Sequence, residues 1–196
     1  MLFRSAWDVI DIRQAAHETG AHFIGPASSG LLVPRCVKAG FYVDEICLPG
    51  PVGVITKSGS LSYAVLAEMK SQGIGVSTVV ATGGERIKGM NFVDLLPHFL
   101  ADPKTEALVL LGEIGGSEEE QAAEFLSQHQ QKPVVAFISG RSVPMGQSLG
   151  HAGAMAQKGR GDYASKANAF RRAGASVADN IGQIPQLLRE MLNSAA

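Results

Sequence analysis

One histidine of the 196-residue chain sits among small residues, in Leu149-Gly150-His151-Ala152-Gly153-Ala154. Flanking glycines describe an open, uncrowded loop, so the imidazole of His151 is reachable in a way that a histidine on an apolar helix face is not. Nucleophile, base and turn residue all remain open on this motif alone. A carboxylate in a similar setting is Glu113, in Gly112-Glu113-Ile114-Gly115-Gly116. A third motif, Thr56-Lys57-Ser58-Gly59-Ser60-Leu61-Ser62, places small residues where a strand turns into a helix. There the first backbone N–H groups, with the helix dipole behind them, favour an anion, and Ser58 or Ser60 can cap the helix. The fourth is another glycine turn, Ala81-Thr82-Gly83-Gly84-Glu85.

Other polar clusters have plainer readings. Ser117-Glu118-Glu119-Glu120 reads as a capped helix start whose acids suit the positive helix end, with no chemistry assigned. The cations of Lys158-Gly159-Arg160-Gly161 read as solvated loop charges, and His17, His22, His98 and His129 as structural or solvated. No Cys or His spacing reads as a metal site. Cys36 and Cys47 read as two thiols, a disulfide between them being the less favoured alternative.

The elements that must position these residues alternate between short β-branched runs and longer helical stretches. Strands are expected near 52–56, 76–81, 107–111, 134–138 and 175–178, and helices near 60–72, 91–101, 117–129, 162–173 and 180–193. The strands are apolar on both faces (VGVIT, VSTVVA, ALVLL, VVAFI), as parallel strands buried between two helix layers must be. The expectation is an α/β fold: a flavodoxin-like doubly wound parallel sheet of about five strands with helices on both faces. Ligands of such sheets sit at the carboxyl ends of the strands, where the glycine loops fall. A carboxylate accepting the Nδ1–H of His151 would leave Nε2 as the nucleophile, and helix N–H groups would hold a phosphoryl group. The residues alone thus reach a phosphohistidine site, or a histidine base beside an anion pocket.

Residues 1–50 do not fit the alternation. A helix over 7–19 capped by Gly20, then a short strand over 22–25, cannot make a core. The expected division is 1–33 as the remnant of another domain, 34–51 as linker and 52–196 as the catalytic domain. Composition is that of a globular chain: 45% hydrophobic, 18% charged, 6% aromatic, and 23 glycines for tight turns. The net charge of −1 offers no footprint for nucleic acid or an anionic membrane. No signal peptide or spanning segment is read, so the expected location is the cytoplasm, or an organellar matrix if a presequence is missing.

GPVGVITKSGSLSY, VVATGGERIKGMNFVDLL, LVLLGEIGGSEEEQAAEFL, KPVVAFISG and GHAGA, in that order, resemble the α subunit of succinyl-CoA synthetase. The likeness runs from about Gly25 to Leu192 and includes the 38-residue step from Glu113 to His151. ATP-citrate lyase shares GEIGG and GHAGA with a longer insertion between them, so the shorter spacing favours the synthetase. The resemblance implies that His151 is phosphorylated in turnover, that Glu113 orients it, and that Ser58, Gly59 and Ser60 begin the helix whose amides bind the phosphohistidine. It also implies an ATP-grasp β subunit as partner, in a heterodimer or heterotetramer. The family's complete enzyme uses CoA, ATP or GTP, and Mg2+, with no cofactor tightly bound by this chain. A related acid such as malate, or a non-catalytic paralogue that binds an ATP-grasp partner, are the alternatives.

Departures from the family pattern gather on the CoA side. Most of the CoA-binding domain that precedes this region in the family is expected to be missing. The family's Gly-Pro-Asn turn reads Gly25-Pro26-Ala27, and Gly-Gly-Asp-Pro reads Gly83-Gly84-Glu85-Arg86. The helix after the serine-glycine turn has Tyr63-Ala64 in place of Tyr-Glu, and the glycine-rich loop after GHAGA reads Gln157-Lys158-Gly159-Arg160-Gly161.

Overall fold

A computed structural model describes residues 5–129, 132–144, 151 and 161–194. One sheet of seven strands has the order β2-β1-β4-β3-β5-β6-β7, where β1 is Gly30–Val33 and β2 is Val37–Gly40. Five of these are the expected strands: β3 (Pro49–Thr56), β4 (Val76–Ala81), β5 (Ala107–Glu113), β6 (Val134–Ser139) and β7 (Ser176–Ala178). They pair in parallel, β4 and β5 flanking β3 and then β6 and β7 outward, which is the flavodoxin-like order. All seven residues of β5 are buried, which explains a run with no polar alternation.

The crossover helices α2 (Gly59–Ser71), α3 (Phe92–Ala101), α4 (Glu118–His129), α5 (Tyr163–Arg172) and α6 (Gln183–Ser194) cover both faces. One core, with Val54, Val109 and Leu111 from the sheet, takes Leu66 and Met69 of α2 and Leu188 of α6. The other, with Ile55, Leu108 and Leu110, takes Leu96 of α3, Leu126 of α4 and Phe170 of α5. Among the described residues no helix is long and apolar enough to cross a membrane.

The sheet has two strands more than expected. They are β1 (Gly30–Val33) and β2 (Val37–Gly40), a hairpin within the stretch read as remnant and linker. β1 pairs antiparallel with β4, Leu32 opposite Val79, so this stretch is hydrogen-bonded into the sheet. Four-residue strands are too short to show a period, and β2 is exposed at every position, so no apolar pattern marked it. Close approach of the two strands requires glycine: a Cβ on Gly30 would lie 1.9 Å from the Ala39 carbonyl oxygen. Tyr42, just past the hairpin, is fully buried and its hydroxyl lies 2.7 Å from the Ser62 hydroxyl on α2. Burial raises its pKa to about 12, so it remains a neutral hydrogen-bonding group.

The N-terminal helix is present as α1 (Ala6–Thr19), with a Ser5–Asp8 capping box at its start and left-handed Gly20 at its end. The strand expected over 22–25 is absent. That segment bonds to the loop after β4 instead: Gly25 N–H donates to Thr82 O, and Met90 N–H to Phe23 O. The place beside β4 in the sheet is taken by β1. Cys36 is exposed and Cys47 buried, both as free thiols.

Candidate active site

At the carboxyl edge of the sheet, β3 turns into α2 against one core, and β5 turns into α4 against the other. The chain therefore parts between β3 and β5, and such a switch point opens a crevice at the strand ends. The two ends are level there: Thr56 is paired with Leu111, and Lys57 N–H donates to Leu111 O at 3.1 Å.

Across this edge, Nδ1 of His151 lies 2.7 Å from Oε2 of Glu113. The Glu113 side chain is 4% exposed and that of His151 29%, so the carboxylate is sheltered while the ring reaches the surface. A carboxylate that accepts Nδ1–H selects the tautomer with its lone pair on Nε2. The ring also packs on the loop after β4. A Cβ on Gly84 would lie 2.3 Å from His151 Nδ1, so only a glycine leaves room for the imidazole. The Glu113 turn is pinned in its own right, with Ile114 N–H on Ser139 O at 3.1 Å and Gly115 N–H on Gly161 O at 2.7 Å. Gly115 and Gly116 adopt positive φ (92° and 59°), which accounts for the paired glycines after Glu113.

Ser58, Gly59 and Ser60 form the start of α2, at the strand end neighbouring Glu113. Ser58 is the N-cap, its Oγ accepting from Leu61 N–H at 3.4 Å, and the Ser58 and Ser60 hydroxyls lie 3.3 Å apart. Thr56 Oγ1 accepts from Ser58 N–H at 3.1 Å and closes the turn. The remaining first-turn N–H groups point out of the helix without intrahelical acceptors, as an anion site requires.

Beneath these groups lies an ion cluster that sequence reasoning missed. Glu119, assigned only a dipole role, is completely buried between Lys57 and Lys166. Lys57 Nζ is 2.8 Å from Glu119 Oε1, which also accepts Glu113 N–H at 3.0 Å. Lys166 reaches Glu119 Oε2, Glu120 at 2.9 Å and Gly116 O at 3.2 Å. Lys88 lies 2.8 Å from Glu118 Oε2, an ion pair by distance without hydrogen-bond alignment at that oxygen, and donates to Gly83 O at 2.9 Å.

Burial pushes the Glu119 carboxyl up, but Lys57 and Lys166 outweigh it and hold the pKa below the ordinary glutamate value. Burial likewise pulls Lys57 down, and Glu119 and Glu118 reverse that, leaving it above the usual lysine value. At Lys88 burial prevails over Glu118 and lowers the pKa. The only sequence signal for the cluster was a lysine inside the small-residue turn at 56–62 and three acids opening α4.

The glycines and alanines around His151 and the Lys158-Gly159-Arg160 cations lie outside the described residues. His17, His22, His98 and His129 are exposed, and the ring of His129 stacks on Phe125. Among the described residues no three His, Cys, Asp or Glu side chains gather closely enough to hold a metal ion. A groove of about 350 Å³ between α1 and α3, lined by Arg13, His17, His22 and His98, includes neither His151 nor Glu113.

The family model described as CoA-ligase matches residues 55–176. The chain is 41% identical over 185 residues to the α subunit of the ADP-forming succinate–CoA ligase of Methanothermobacter thermautotrophicus, a match covering 94% of this chain and 63% of that protein. It is 38% identical to the α subunit of malate–CoA ligase of Methylorubrum extorquens, covering 94% of this chain and 62% of that one. A solved ATP citrate lyase from Methanothrix soehngenii, in complex with citrate and coenzyme A, superposes with a TM-score of 0.81 at 28% identity. That superposition covers 94% of this chain and 32% of the lyase chain. The chain thus spans less than two thirds of the length of these relatives.

Proposed function

The chain belongs to the CoA-ligase family, and from that premise we propose that it is the phosphohistidine-bearing part of an acid–CoA ligase that forms a nucleoside diphosphate. The observation that carries the reading is the 2.7 Å contact between His151 Nδ1 and Glu113 Oε2, with the start of α2 at the adjoining strand end. With Nδ1–H held by Glu113, the Nε2 lone pair of His151 attacks the γ-phosphorus of a nucleoside triphosphate, and the diphosphate leaves. An acid carboxylate then attacks the same phosphorus and Nε2 departs as neutral imidazole, giving an acyl phosphate. The CoA thiolate attacks the acyl carbon and phosphate leaves. Through these steps Glu113 keeps the Nδ1 proton in place, and the N–H groups of Gly59 and Ser60 receive phosphoryl charge.

Succinate is the proposed acid, since the succinate–CoA ligase relative is among the most similar, and malate is the second reading, supported by the malate–CoA ligase relative. An ATP-grasp β subunit is the proposed partner, because both relatives are α subunits. The test incubates the chain with γ-labelled ATP, Mg2+ and a candidate β subunit, then repeats it with His151→Ala. Acid-labile, alkali-stable label lost in the variant supports the reading. Wild-type protein that takes no label with any ATP-grasp partner overturns it, and label without acyl-CoA formation identifies a half-reaction protein.

A further inference from the structure

We infer that Lys57 and Glu119 are positioning residues for His151, acting through Glu113. Glu119 Oε1 accepts from the Glu113 backbone N–H at 3.0 Å and from Lys57 Nζ at 2.8 Å, while Oε2 takes Lys166. Its two oxygens are thus held by donors from three places: the end of β5, the β3–α2 turn and α5. Rotation of this carboxylate, which is fully buried, breaks at least one of those bonds. The side chain also lies flush on the backbone that carries Glu113, since a Cβ on Gly112 would come within 2.6 Å of Glu119 Cγ. Lys166 binds Gly116 O at 3.2 Å, so the Glu113 turn is gripped at both ends by one ion chain.

Charge acts in the same direction as geometry. Lys57 is buried beside these carboxylates, and Glu113 is among those that favour its charged form. In a sheltered site that coupling is little screened. A buried ion cluster contributes little net stability compared with an apolar core of the same shape. What it does supply is a single arrangement, here a carboxylate fixed opposite an imidazole.

The deciding measurement does not depend on phosphorylation: the 15N resonances of the His151 ring in the unmodified full chain, which report the Nδ1–H to Nε2–H tautomer ratio. Lys57→Met and Glu119→Gln are expected to lower that ratio about tenfold, the equilibrium weight of one ordinary hydrogen bond. Lys57→Arg, which keeps the charge, is expected to restore it. Glu120→Gln, whose carboxylate meets Lys166 and Ser165 and not Glu113, is expected to leave it unchanged. The same variants, phosphorylated with a β subunit, are expected to lose about 100-fold in rate, as a misplacement of about 1 Å can cause. An unchanged ratio in either Lys57→Met or Glu119→Gln with native circular dichroism overturns the inference, as does failure of Lys57→Arg to restore it. A shifted ratio in a protein that never takes label would leave the positioning role standing and sink the phosphohistidine reading. Label with an unshifted ratio would do the reverse.

Discussion

The imidazole of His151 rests directly on the backbone of Gly84, so closely that a Cβ there would lie 2.3 Å from Nδ1. The same Nδ1 faces Glu113, so the ends of β4 and β5, the two strands that flank β3, define where the ring can be. A small change at residue 84 is therefore a direct test of the ring's placement.

Gly84→Ala is expected to push the ring off Glu113 without unfolding the chain, because the ring is partly exposed and belongs to neither apolar core. Phosphorylation of His151 should fall about 100-fold, in line with a shift of about 1 Å at a reacting group. Labelling rate and thermal unfolding, measured together, check this. A rate like wild type would mean that the contact with Gly84 does not set the ring position.

Glu113→Gln keeps the shape but replaces a charged acceptor with an amide that can also donate, allowing the wrong tautomer of His151. The rate of phosphoryl transfer is expected to drop by about 10²–10⁴, the usual contribution of a positioned acid or base partner. Transfer of label from γ-labelled ATP, timed against wild type, checks this.

Glu119 makes stability depend on acid. Its folded pKa lies below the ordinary 4.5, so its contribution is complete above that value and is lost as pH falls through the folded one. Glu119→Gln should flatten this acid limb and cost about 3–5 kcal/mol near neutrality, since Lys57 and Lys166 lose their buried counter-charge. Lys88 gives a slope of the same sign in a more alkaline window. Its folded pKa lies below 10.5, so stability rises with pH between the two values, where only the unfolded chain holds the proton. Urea unfolding midpoints across pH read both.

Ala27 adopts a left-handed conformation (φ 54°), is exposed, and follows Gly25-Pro26 in the turn that touches the loop after β4. A Cβ in that region costs about 1 kcal/mol, which asparagine partly avoids and glycine wholly avoids. Ala27→Asn and Ala27→Gly are both expected to raise the unfolding temperature. No rise in either would mean that the turn's other bonds, such as Gly25 N–H on Thr82 O, already absorb the strain.

The amino-acid sequence by itself determined the five parallel strands, because two-sided burial leaves unbroken apolar runs such as Leu108 to Leu111. It also singled out His151, Glu113 and Ser58–Gly59–Ser60, because glycine-rich turns at strand ends are written locally. Tertiary structure alone decided that the Glu113 carboxylate meets His151 at Nδ1, since 38 residues separate them and no local rule sets that distance. It alone turned Glu119 inward. A run of three glutamates opening a helix looks the same whether it meets water or two ammonium groups, and here Lys57 and Lys166 arrive from the β3–α2 turn and from α5, far along the chain. The β1–β2 hairpin was illegible for a related reason: its strands are too short to carry a period, and their place beside β4 is set by pairing with a distant partner.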